Sequence, residues 1–179
     1  MQSIARDTLD VECRFAADDA GTFTGYAAKF GEVNAHNEIV MPGAFARTIA
    51  DHKARGINPP MLWSHDQSQP IGVWDSLAED ATGLAVRGRL VLDTAKGREA
   101  HALMRAGAIT GLSIGFRNAK ATRAASGVRQ IADLDLGEIS LVTLPSASNA
   151  RIISVRNRSG LAGFTEAVKA ATQTLKGGK

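Results

Sequence analysis

Ser113 stands between glycines in the stretch ITGLSIGF, residues 109–116. If that stretch is a strand, Leu112, Ile114 and Phe116 point to one face and Gly111, Ser113 and Gly115 to the other. One face is then apolar, and the other carries a single uncrowded hydroxyl that a substrate backbone could approach closely. The same pattern would also suit a bulge or a tight sheet contact. A serine hydroxyl attacks a carbonyl only when a base takes its proton, and near pH 7 the usual base is a neutral imidazole. The chain offers His36, His52, His65 and His101. His36 falls in a loop, His52 closes a predicted helix, and His101 sits mid-helix among Arg98, Glu99 and Arg105, so each of these reads as structural. His65 differs. It ends the apolar run MLWSH at the lip of a turn, where packing can hold the ring while its edge meets a cleft.

A third group should fix the imidazole tautomer and favour the imidazolium. Asp66 adjoins His65, but neighbours along an extended strand point apart. Asp93, Asp133 and Asp135 are compatible on spacing. Glu138 is the best placed, because it opens the strand EISLVTL and shares a face with Ser140, Val142 and Leu144. A carboxylate opening an apolar strand needs a partner or water, so a solvated strand-end glutamate is the competing reading. GLSIG at 111–115 formally matches the G-x-S-x-G nucleophile elbow, whose partners follow in the order serine, acid, histidine. All four histidines here precede Ser113, so that arrangement fails on count alone. Metal chemistry finds no H-E-x-x-H, no cysteine pair and no two histidines at ligand spacing on one helix. No glycine-rich loop with a following lysine cradles a phosphate, and no cofactor is expected. Cys13, the only cysteine, lies in a weakly patterned region and is a poor nucleophile candidate.

The elements that must position these groups are short. Residues 1–20 read as an N-terminal leader with one edge strand near 11–15. Residues 22–30 read as a strand, and 38–40 lead into Pro42, which suits the first turn of a helix. Phe45, Ile49 and His52 mark the apolar side of that helix, which ends near Gly56. Residues 61–65 form a compact strand, followed by a turn over DQSQP. Two more strands, 71–77 and 84–92, flank the hairpin chemistry of EDATG. Asp93 or Thr94 can cap a helix over 95–106, and Gly107 can end it. The Ser113 strand follows, then a polar, basic loop over 118–129. Strands are expected at 131–136, at 138–144 and at 152–155, and an amphipathic helix runs from Leu161 to Leu175 by steps of three and four. About seven strands without a βαβ rhythm point to a mainly β fold with flanking helices (α+β), a small antiparallel barrel. The expected division is a leader at 1–20, a central domain at 21–158 and a helical, weakly basic tail at 159–179.

With 179 residues, 44% of them hydrophobic, the chain can bury a real core. No apolar run approaches a membrane span, and the N-terminus lacks a secretory signal pattern. A lone cysteine forms no internal disulfide, which favours the cytoplasm. The formal charge is +3, and from Arg151 onward six basic residues face only Glu166. A nucleic-acid-binding barrel would use such charge together with aromatic stacking. The aromatics are few, and Trp63 and Trp74 lie in apolar strands that read as core.

The order of these pieces resembles one known family, the prohead (capsid-maturation) proteases of tailed phages, themselves distantly similar to herpesvirus maturation proteases. The resemblance runs through FTGYAAKF (23–30), IVMPGAF (39–45), PMLWSHD (60–66) with PIG (70–72), ITGLSIGF (109–116) and EISLVTLPS (138–146). It covers nearly everything from Phe23 to about Val155. It implies a herpesvirus-protease-like barrel and a serine endopeptidase in which Ser113 is the nucleophile, His65 the general base and Glu138 the third member. It further implies that scaffold or major capsid protein segments, and the enzyme itself, are cut inside the assembling procapsid in the bacterial host cytoplasm. Self-association into a dimer or higher oligomer is left open, no membrane is involved, and nucleic acid is not an expected partner. The oxyanion donors are sought in the Arg117–Asn118 turn or in 151–158. The rival reading within the same barrel is an inactive capsid-assembly or scaffold protein.

Overall fold

The computed structural model describes residues 7–12 and 20–143. Eight strands and two helices follow one another in the order β1 (Asp7–Glu12), β2 (Thr22–Lys29), β3 (Glu38–Val40), α1 (Ala46–Arg55), β4 (Met61–Trp63), β5 (Asp66–Glu79), β6 (Gly83–Leu90), α2 (Ala95–Arg105), β7 (Gly111–Arg123) and β8 (Arg129–Val142). All eight strands belong to one sheet, ordered β1-β7-β8-β4-β5-β6-β2, with β3 attached to β8. The two end strands, β1 and β2, lie against each other, so the sheet curls towards a barrel. The mainly β architecture with flanking helices is thus as expected.

The pairing is antiparallel with two exceptions. One edge of β8 takes β7 along its length, and the other takes β3 at Arg129 to Ile131 and β4 at Ile139 to Leu141, both parallel. A parallel neighbour needs a crossover connection, and α1 supplies it by carrying the chain from β3 to β4. The core fills the concave side with Phe23, Phe45, Met61, Ile71, Leu112, Ile114, Phe116, Ile139 and Leu141, each at most 1% exposed. Trp74 joins them, its ring edge-on to Phe23 at 5.5 Å between centroids, and Trp63 packs on the cluster beneath Lys96. Neither tryptophan is an open stacking platform.

The helices carry the expected stop signals. Gly56 ends α1 in the left-handed region at φ 65°, and Thr94 caps α2 by accepting from the Gly97 amide at 3.0 Å. Several boundaries differ from the sequence reading. α1 begins at Ala46, three residues after the turn at Pro42 and Gly43, and His52 lies within it rather than at its close. The stretch DQSQP is the start of β5, not a turn. The basic segment after Phe116 stays in β7 to Arg123, leaving only 124–128 as a connection. β8 is one strand where two were expected. The leader strand occupies Asp7–Glu12 rather than 11–15. The expected strand at 152–155, the helix from Leu161 to Leu175, and Cys13 lie outside the described residues.

Candidate active site

β7 and β8 place Ser113 and Glu138 on one face through their register. Gly111 pairs with Val142, Ser113 with Ser140 and Gly115 with Glu138. Directly opposed residues on an antiparallel pair project to the same side. Ser113, Ser140 and Glu138 therefore form a polar group on the face opposite Leu112, Ile114, Ile139 and Leu141. Glu138 reaches this face because of a bulge. After Gly115↔Glu138 the pairing resumes at Phe116↔Leu136, which leaves Gly137 without an opposite number. Alternation is reset there: Leu134 and Leu136 face the core at even positions, and Ile139 and Leu141 face it at odd ones. Were Gly137 in regular alternation instead, Glu138 would follow Leu136 into the core.

α1 holds this irregular backbone. The Leu136 amide donates to Thr48 Oγ1 at 3.1 Å, and the Leu136 carbonyl lies 3.1 Å from His52 Nε2. His52 is thereby a helix-to-strand tie. Arg47, one turn earlier, bonds Asp133 and Asp135 of β8 at 3.1 and 2.5 Å. The carboxyl of Asp133 is held below its ordinary value because Arg47 and then Lys120 bond it, and that of Asp135 because Asn118 and then Arg47 bond it. Both aspartates are spent on this network.

His65 is delivered by a two-residue hairpin. Trp63 pairs with Asp66, and between them Ser64 and His65 both take left-handed φ values of 47° and 63°. Two successive positive φ angles are the signature of a type I′ turn, whose twist matches the strands it joins. His65 is thus in the turn itself, not at the end of the strand. Its Nδ1 lies 2.5 Å from Glu138 Oε1. An ionised carboxylate only accepts, so Nδ1 carries the proton and Nε2 keeps its lone pair. The side chain of His65 is 24% exposed and that of Glu138 8%, so the pair sits at the edge of the buried region.

The candidate acids are now separated. Asp66 accepts from the Ser68 amide and hydroxyl and from Gln69, which hold its carboxyl below the ordinary value and turn it away from His65. Asp133 and Asp135 belong to Arg47. Asp93 offers its backbone carbonyl to Arg98. Glu138 alone among them meets the imidazole. Gly115 serves this contact: a Cβ there would overlap Glu138 Oε1 and come within 2.9 Å of its Cγ and Cδ. The carboxylate lies where that side chain would be.

Ser113 differs from expectation in one respect. It is fully buried rather than open, as is every residue from Gly111 to Phe116, because both faces of this half of β7 are covered. Of the remaining histidines, His36 is exposed in a loop and His101 lies within α2. Arg117 and Asn118 are strand residues at a second irregularity of β7, and the Asn118 side chain bonds Asp135 at 2.7 Å. The 151–158 alternative lies outside the described residues. A cavity of about 590 Å³ opens between α1 and the strands, with Asp51, Arg55, Arg117 and Gly137 on its walls, and a small space beside Glu138 adjoins it. Among the described residues no group of three metal-ligating side chains converges, and no helix is long and apolar enough to cross a membrane.

Sequence reasoning passed over Ser140. Its signal was a hydroxyl inside an apolar strand, in the same phase as Glu138.

The family model described as caudovirus prohead serine protease matches residues 7–162. The prohead protease of Enterobacteria phage HK97 is 33% identical over 156 residues, covering 85% of this chain and 68% of that protein. The solved structure of the bacteriophage T4 capsid assembly protease is similar in fold, with a TM-score of 0.62 at 15% identity, over 78% of this chain and 99% of that one.

Proposed function

The chain belongs to the caudovirus prohead serine protease family and is a capsid-maturation protease; on that premise we propose that it is a serine endopeptidase with Ser113 as nucleophile, His65 as general base and Glu138 as the orienting acid. The observation that carries the assignment is the 2.5 Å contact between His65 Nδ1 and Glu138 Oε1, on the sheet face that also bears Ser113. With Nδ1 committed to Glu138, the Nε2 lone pair is the one available to take the Ser113 proton. Ser113 Oγ then bonds to the scissile carbonyl carbon. As the tetrahedral species collapses, the C–N bond breaks and the imidazolium returns its proton to the leaving amine. Water, deprotonated by the same imidazole, releases the acyl group and regenerates the hydroxyl. Glu138 stays ionised throughout and stabilises the imidazolium. No cofactor enters this cycle.

The substrates are segments of the major capsid protein and scaffold, and the protease itself, cut inside the procapsid. Family membership supports this reading and the site chemistry suits it. Co-expression with a capsid precursor tests it. Ser113→Ala and His65→Ala should each abolish processing while leaving the circular dichroism spectrum and Tm near wild type. A serine-directed fluorophosphonate should label wild type at Ser113. Normal maturation with either variant, read by mass spectrometry, overturns the assignment and leaves the inactive-scaffold reading standing.

A further inference from the structure

Ser140 occupies a position no other side chain shares. In the register of β8 it pairs with Ser113 on one side and with Leu62 of β4 on the other, three residues before His65. It is fully buried. Its hydroxyl donates to Glu138 Oε2 at 2.6 Å and accepts from the His65 amide at 3.0 Å. A hydroxyl has one proton, and this one is given to the carboxylate, so a lone pair is left for the amide. Both oxygens of Glu138 are then engaged, Oε1 by the imidazole and Oε2 by Ser140. A carboxylate held at one oxygen can rotate about its terminal torsion, and held at both it cannot. The same hydroxyl anchors the backbone of a turn whose two residues are both left-handed.

We propose that Ser140 is a positioning residue for the His65–Glu138 pair, tying the base's turn and the acid to one fixed point beside the nucleophile. This rests on the catalytic assignment above. Ser140 is not a reserve nucleophile, because its proton is committed to an anion and its oxygen to an amide. Its role is to keep the imidazole in the orientation that leaves Nε2 available.

The test is Ser140→Ala, with Ser140→Thr restoring the hydroxyl on a strand that tolerates β-branching. Steady-state kinetics on a precursor-derived peptide should show kcat reduced by about 10- to 100-fold in the alanine variant, the range expected for loss of one hydrogen bond to a charged group. KM should stay within about twofold, and threonine should recover most of the rate. The second readout needs no activity. The low-field proton resonance of the His65 Nδ1–H, held by the short bond to Glu138, should be visible in wild type and shifted or broadened away in Ser140→Ala. Wild-type kcat and an unmoved resonance in Ser140→Ala, with Ser113→Ala inactive, overturn the proposal and leave the nucleophile in place. Fluorophosphonate labelling at Ser140 also overturns it. Full activity in Ser113→Ala refutes the catalytic assignment instead, and the resonance then still reports whether Ser140 orients the pair.

Discussion

Gly115→Ala isolates the geometry on which the site depends. The backbone of Gly115 is not in the left-handed region, so alanine is conformationally acceptable there. The obstacle is Glu138: the new methyl would overlap Oε1 and press on Cγ and Cδ at 2.9 Å. The obstructed atoms end a flexible side chain, and a small space lined by Gln67, Arg117 and Gly137 lies beside it. The fold can therefore survive by swinging the carboxylate aside, at about 1–3 kcal/mol for overpacking, a few degrees in Tm. The swing parts Glu138 from His65. Loss of an orienting carboxylate costs roughly 10²–10⁴ in rate, or about 2.7–5.4 kcal/mol at 1.36 kcal/mol per decade. Gly115→Ala should thus reproduce most of the defect of Glu138→Ala without touching a functional group. A double-mutant cycle makes the causal link explicit. If the methyl acts only by displacing Glu138, adding Gly115→Ala to Glu138→Ala should cost little further, since alanine at 138 removes the clash. Peptide cleavage is measured for the four proteins, with Tm recorded for each. Wild-type rates in Gly115→Ala, or single effects that multiply in the double variant, would refute the reasoning.

Two further outcomes follow from other parts of the molecule. Ser64 is exposed and held at φ 47°, a conformation that costs most L-residues about 1–2 kcal/mol but that asparagine tolerates better. Ser64→Asn should therefore raise Tm by a few degrees and leave cleavage unchanged, and a lowered Tm would show that the turn is not strained at that residue. Asp133 and Asp135 have folded pKa values below the ordinary carboxylate value of about 3.9, so the unfolded chain binds more protons. Their contribution to stability is complete above that value and is lost as pH falls through the folded ones. Urea unfolding midpoints should fall from pH 5 towards pH 2.5, and Asp133→Asn should flatten that fall; an equal slope in the variant would assign the acid sensitivity elsewhere.

The sequence was most legible where alternation was unbroken. Leu112, Ile114 and Phe116 face the core as their spacing requires, and Thr94, Gly56 and Gly107 mark helix ends by chemistry that needs no tertiary context. Where a bulge intervened, period-two reading misled. The segments 131–136 and 138–144 looked like separate strands because Gly137 shifts the apolar phase by one residue, although the chain runs on without a break. Parallel pairing of β8 with β3 and β4 was out of reach for the same reason that all non-local pairing is: nothing local in three-residue strands specifies their neighbour. The turn at Ser64 and His65 was hidden because neither residue is a usual type I′ residue, and tertiary bonds from Ser140 and the Leu141 carbonyl hold it. Burial of Ser113 depends on what lies over the sheet, which a strand's own pattern does not record. That Glu138 meets a partner was readable because a carboxylate leading an apolar run needs one.

The extra residue in β8 has a consequence for how chains of this kind can vary. Since the ladder steps over Gly137, the facing of everything after it depends on which residue is left unopposed as well as on residue identity. Were residue 137 drawn into the regular ladder, Glu138 and Ser140 would turn inward and Ile139 and Leu141 out, whereas deleting it would leave Leu136 and Glu138 in ordinary alternation and keep the facing. Loss of the single residue at 137 should therefore leave the facing of the site intact, a tolerance that substitution patterns alone would never reveal.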